Sequence, residues 1–95
     1  MDLNELRLQI DDIDSQILAL FLRRMEVVEQ VVDYKQKNNL PVFHPEREAA
    51  ILDKMAARAP GHLKEGTREL YATLMKVSKD RQYQLLGMEP SKEGN

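Results

Sequence analysis

Three cations, a carboxylate, a hydroxyl and an amide stand on or beside stripes that are otherwise apolar: Arg7, Arg24, Lys35, Glu48, Ser78 and Gln82. Buried without partners, such groups would cost on the order of several kcal/mol in total. Either they satisfy one another or they line a wet pocket for a polar ligand. The cations suit an anion. Arg24 and Lys35 lie 11 positions apart, roughly 16 Å along a helix axis. Two long side chains leaning toward each other across that gap can hold one small dianion. Arg7 is 28 positions from Lys35, roughly 42 Å along the same helix, and cannot join them within one chain. If two copies of the helix pair antiparallel, Arg7 of one copy can lie beside the Arg24–Lys35 segment of the other. Two identical sites per dimer, each built from both chains, would result.

Every one of these residues has a plainer reading. Arg24 can be a register-setting polar residue in a coiled-coil seam. Lys35 can be a solvated flank and Arg7 a surface residue. Glu48 can serve a helix dipole, Ser78 can bond back to a carbonyl one turn earlier, and Gln82 can be an exposed helix former. Cations, a carboxylate and a neutral amide from three different helices together favour a site.

The element that must position most of them runs from Leu3 to about Lys37. Read in sevens, Leu3, Ile10, Ile17 and Val31 occupy the a position, and Leu6, Ile13, Leu20, Val27 and Tyr34 the d position. No Gly or Pro interrupts the run, so the pattern predicts one long helix with an apolar seam. Arg24 breaks the seam at an a position. Arg7 and Lys35 fall on the flanking e position with Asp14, Phe21 and Val28. Asp2 or Asn4 is the expected N-cap, and the Asn38-Asn39 pair an expected left-handed stop. Some 35 residues span roughly 50 Å, whereas a compact domain of this length has a radius of gyration near ~12 Å. Much of the seam is therefore expected to protrude, and an exposed apolar stripe of that size predicts a partner, most simply a second copy.

Leu40 to His44 reads as an extended connector, since a residue before Pro avoids the helical region. Pro45 suits the first position of a second helix, with Glu46 and Glu48 facing the positive end of its dipole. Its apolar positions are Ile51, Leu52, Met55 and Ala59, and Pro60-Gly61 ends it. Residues 61–66 are expected as a loop. Thr67 is the expected cap of a third helix whose stripe reads Leu70, Tyr71, Leu74, Met75, Ser78, Gln82 and Leu85, ending near Gly87. In this reading residues 1–87 form one helical domain, and residues 88–95 a polar tail or the start of a linker.

The bulk numbers agree with an all-α, soluble class: 42% apolar, 32% charged, four Gly and four Pro in 95 residues. A net charge of −2 gives no pointer to nucleic acid or an acidic membrane surface. The absence of Cys removes disulfides, thiolate catalysis and Cys-ligated zinc, and fits a reducing, cytoplasmic compartment. The start carries no basic region followed by an apolar run, so no signal peptide is expected, and no stretch approaches the ~20 apolar residues of a membrane span.

Set in order, the run Leu6-Arg7, Ile10, Ile13-Asp14, Ile17-Leu18, Leu20-Phe21, Arg24, then Lys35, Pro41-Val42, Pro45, Arg47-Glu48, and Ser78 with Gln82, resembles the all-helical class of chorismate mutases. The likeness covers roughly residues 3–86. It implies three helices per protomer, an intertwined homodimer with shared sites, and the conversion of chorismate to prephenate toward Phe and Tyr, with no metal or cofactor. It also implies roles. Arg7 of the partner chain and Arg24 look like carboxylate clamps, whose forked donors suit that task. Lys35 and Gln82 resemble the pair that donates to the breaking ether oxygen. Glu48 resembles the acceptor for the ring hydroxyl, and Arg47 and Ser78 match further positions lining the pocket. His44 stands where many relatives carry an Asp, so the hydroxyl contact falls to Glu48, a main-chain group or His44 itself. Lys79 follows Ser78 where relatives vary. Two rivals remain: an isochorismate pyruvate lyase on the same scaffold, and a non-enzymatic helical dimerisation module.

Overall fold

In a computed structural model, which describes residues 1–89, the chain forms three α-helices and, among the described residues, no strand. Helix α1 spans Leu3–Lys37, α2 Pro45–Ala57 and α3 Lys64–Leu86, with a single 3-10 turn at Gly61–Leu63. Of the expected tail, Met88 and Glu89 are exposed and residues 90–95 lie outside the described residues.

Helix α1 begins and ends where its pattern predicts. The Asp2 carboxylate accepts from the Glu5 N–H at 2.8 Å, satisfying one of the first-turn donors left without an intrahelical acceptor. At the other end Asn39 adopts φ 55°, the left-handed region that Asn tolerates better than most residues. The Asn38 side chain donates to the Tyr34 carbonyl at 2.8 Å, closing the last turn.

The three helices do not share α1 evenly. Every residue from 1 to 20 is exposed, and α1 enters the core only from Phe21 onward. Its buried residues are Val28 and Val32, with Phe21, Arg24, Met25 and Lys35 half-buried. The heptad seam is thus a second face: Ile17 is 57% exposed, Leu20 63% and Val27 51%. Arg24 stands at the border of the two faces. The molecule is accordingly long, 54 × 26 × 20 Å with a radius of gyration of 16.3 Å, well above the ~12 Å of a compact chain this size.

Helix α3 packs on α2 and on α1, whose buried residues all lie in its C-terminal half. Val42, Ala56, Met75 and Tyr83 form most of the remaining core, Tyr83 being 2% exposed. The turn between α2 and α3 differs from expectation. Residues 61–66 are not a loop, and Thr67 is not a cap. Leu63 donates to Pro60 to close the 3-10 turn, helix begins at Lys64, and the Lys64 ammonium donates to the Ala56 carbonyl at 2.8 Å. The Thr67 hydroxyl bonds back to Leu63 O at 2.7 Å. The α3 stripe is also narrower than drawn: Leu70 and Leu85 are exposed, and the buried face runs through Met75, Ser78, Gln82 and Tyr83. In α2 the fully buried position is Ala56, while Ala59 falls beyond the helix end. Arg81 reaches Glu29 at 3.3 Å and Arg68 reaches Asp53 at 3.1 Å. These pairs tie α3 to its neighbours, but half-exposed pairs contribute at most about 1 kcal/mol each. No helix among the described residues is long and apolar enough to cross a membrane.

Candidate active site

Where the C-terminal half of α1 meets α2 and α3, a cavity of about 190 Å³ opens. Helix α1 contributes Arg24 and Lys35, the connector and α2 contribute His44, Arg47 and Glu48, and α3 contributes Ser78, Lys79 and Gln82. Val28, Val31, Val42, Ile51 and Met75 supply apolar wall. Seven of the eight residues singled out from the sequence share this one cavity. Arg7 does not: it lies on the bare N-terminal half of α1, 17 positions before Arg24.

Two cation-centred clusters organise the interior. In the first, the Arg24 guanidinium donates to the Ser78 hydroxyl and, at 3.4 Å, to the Leu74 carbonyl. Ser78 in turn donates to Leu74 O at 2.7 Å, the one-turn back-bond its sequence position allows. Arg24 is thereby tethered from α3 while part of its five-donor fork stays available. In the second, the Lys35 ammonium donates to Val42 O at 2.9 Å and to Gln82 Oε1 at 3.0 Å. With its oxygen engaged by a cation, the Gln82 amide is oriented so that its NH₂ is the end left to donate. Ser78 and Gln82 are both about 6% exposed. No buried side-chain nitrogen or oxygen among the described residues lacks a hydrogen-bond partner. Arg24 with Ser78, and Lys35 with Gln82, therefore satisfy one another and still line a cavity.

A third pair lies on the α2 side. Lys79 Nζ sits 3.2 Å from the Glu48 carboxylate and 4.4 Å from the centre of the Phe43 ring. Both charged side chains are only about a fifth exposed. Sequence reasoning noted Lys79 as a variable position and assigned it no contact. A cation three positions before Gln82 on the same helix was the available signal. His44 precedes α2 at its N-cap without a side-chain capping bond, and Arg47 is exposed at the mouth. Arg47 also borders two neighbouring grooves of about 450 Å³ and 320 Å³. One follows α1 through Leu20, Arg23 and Val27, and the other lies under Leu40 and Pro41.

The electrostatics are one-sided. Four cations, Arg24, Lys35, Arg47 and Lys79, face one carboxylate, Glu48. Such a cavity attracts a small anion with more than one charge. Fixed donors in a partly dry site also stabilise negative charge that grows during a reaction, with no reorganisation at that moment. Ser78, the one hydroxyl in the lining, donates to Leu74 O and accepts from Arg24.

Comparison with known proteins gives the same direction. The profile of the family described as "Chorismate mutase type II" matches residues 6–83. Among curated relatives, the T-protein of Haemophilus influenzae is 44% identical over 50 residues, 53% of this chain and 13% of that protein. A bifunctional chorismate mutase/prephenate dehydratase of Aquifex aeolicus is 43% identical over 54 residues, 57% of this chain and 15% of that protein. A chorismate mutase of Methanocaldococcus jannaschii is 35% identical over 60 residues, 63% of this chain and 61% of that protein. The matched segments thus span about a seventh of the first two relatives and three fifths of the third. No solved structure gives a significant match.

Proposed function

Since the chain belongs to the type II chorismate mutase family, we propose that it rearranges chorismate to prephenate, on the route to Phe and Tyr, in the cytoplasm. The reaction is an intramolecular [3,3] shift. One C–O ether bond breaks as one C–C bond forms, with no net proton transfer and no covalent enzyme intermediate. The protein must hold a flexible dicarboxylate in its compact diaxial shape and stabilise charge growing on the ether oxygen. The observation that carries the reading is the Lys35–Gln82 contact beside the Arg24–Ser78 contact in one cavity. Arg24 acts as a carboxylate clamp. Lys35 and the Gln82 NH₂ converge as donors to the ether oxygen. Glu48 accepts from the ring hydroxyl, and Arg47, His44 and Ser78 complete the lining.

The second clamp is the partner's Arg7. Supporting this is the register that an antiparallel pair of α1 helices would adopt. In such a pair a residues face d residues. One alignment satisfies every position at once: Leu3 against Tyr34, Leu6 against Val31, Ile10 against Val27, Ile17 against Leu20, and Ile13 against Arg24. Its two-fold axis passes between Leu18 and Ala19. The partner's Arg7 then falls level with Gln30, roughly 9 Å along the axis from Arg24 and roughly 7–8 Å from Lys35. The same pairing covers residues 3–20, all of them exposed in the single chain.

The test is incubation of purified protein with chorismate, following loss of its diene absorbance and identifying the product. Prephenate formed above the uncatalysed rate supports the proposal. Intact chorismate overturns it, and a parallel incubation with isochorismate that releases pyruvate while chorismate stays intact assigns the lyase instead.

A further inference from the structure

We propose that Lys79 sets the substrate preference of this cavity at the ring hydroxyl. It acts through Glu48, selecting a neutral donor–acceptor group and rejecting a cationic one. The inference rests on the reading that Glu48 faces that hydroxyl.

Glu48 is the one carboxylate in the cavity wall. Alone it would be the natural counter-ion for any positively charged substituent, and a repulsive neighbour for a dianionic substrate. Lys79 removes both properties. Its ammonium sits 3.2 Å from each Glu48 carboxylate oxygen, on a stem fixed against the Phe43 ring 4.4 Å away. Both side chains are largely withdrawn from water, so solvent screens the pair incompletely. The carboxylate keeps lone pairs to accept from a hydroxyl, and the ammonium has protons to donate to that hydroxyl's oxygen. A hydroxyl can use both; an allylic amine, protonated at neutral pH, can use only the carboxylate and meets Lys79 as a like charge. His44 at the adjoining N-cap adds no anion to offset this. The ion pair is therefore a filter as well as a strut: discrimination arises from a repulsive element set beside an attractive one.

The experiment compares turnover of chorismate with that of the analogue carrying an amino group in place of the ring hydroxyl. It uses the wild-type chain, Lys79→Met and Lys79→Arg. Met keeps the apolar stem over Phe43 and deletes the charge. Wild-type protein is expected to prefer chorismate. Lys79→Met should lower kcat/KM for chorismate about tenfold while narrowing the hydroxyl-over-amine preference by at least about tenfold. Lys79→Arg should restore the preference, and circular dichroism should read the same for all three. A preference unchanged in Lys79→Met, or lost equally in Lys79→Arg, overturns the assignment. Wild-type protein inactive on both substrates would instead overturn the reading of the site itself, so the two failures are distinguishable.

Discussion

Lys35 Nζ donates to Gln82 Oε1 at 3.0 Å, joining residues 47 positions apart. The contact closes the cavity between α1 and α3 and leaves two donor groups side by side. Removing either donor should cost catalysis far more than folding. Lys35→Ala and Gln82→Ala are each expected to lose about 10²–10³ in kcat, the size seen when one preorganised donor to a developing oxyanion is deleted. Helical content should persist. A variant of either kind turning over chorismate at the wild-type rate rules out the donor role.

A site shared between chains makes a sharper prediction. Arg7→Ala and Lys35→Ala should each be inactive alone. In a mixed dimer, the chain carrying Arg7→Ala keeps its own Lys35 and receives an intact Arg7 from its neighbour. Random mixing then regenerates about a quarter of the wild-type sites. Co-refolding the two variants and assaying the mixture checks this. No recovery above either parent means that Arg7 does not act across the pair.

The exposed seam should behave as an interface. Ile17→Asp introduces a charge next to the proposed two-fold axis, where it is felt twice per dimer. The expected outcome in analytical ultracentrifugation is a single-chain mass, accompanied by loss of turnover. An Ile17→Asp protein that sediments as wild type and stays active would place the interface elsewhere.

At the end of α3, Gly87 adopts φ 69° and Met88 N–H returns to Tyr83 O at 2.9 Å. A Cβ at Gly87 meets nothing within 4 Å, so the penalty of Gly87→Ala is conformational and not steric. It should cost about 1 kcal/mol, read as a lower urea midpoint at fixed protein concentration. Activity at saturating substrate should be retained.

Much of this architecture was legible in the residues, for reasons that differ by element. The α1 pattern is long, free of Gly and Pro, and closed by an Asp and an Asn pair, so its limits follow from spacing and capping alone. The α2–α3 turn was not legible because Pro60, Gly61 and Gly66 resemble loop punctuation. The helix nevertheless starts at Lys64, whose long side chain reaches back to Ala56 O. Leu70 and Leu85 looked like core by their type. Tyr83, the most buried large side chain, fell outside the stripe because its burial depends on the rotation of α3 against α1, a tertiary choice that spacing does not encode. The cavity residues were legible as misplaced polarity: Arg24, Ser78 and Gln82 stand in apolar rows. Lys79 was legible only as a cation one turn before Gln82, since a lysine on a helix flank is ordinarily solvated and only the fold brings Glu48 and Phe43 to it.

The bare first half of α1 has a kinetic consequence. If each working site borrows its second clamp from a neighbour, the catalyst is not a chain but an encounter between chains. Diluted below the dissociation constant of the pair, the preparation would lose rate as the square of its concentration, and a measured specific activity would carry meaning only with the enzyme concentration stated beside it.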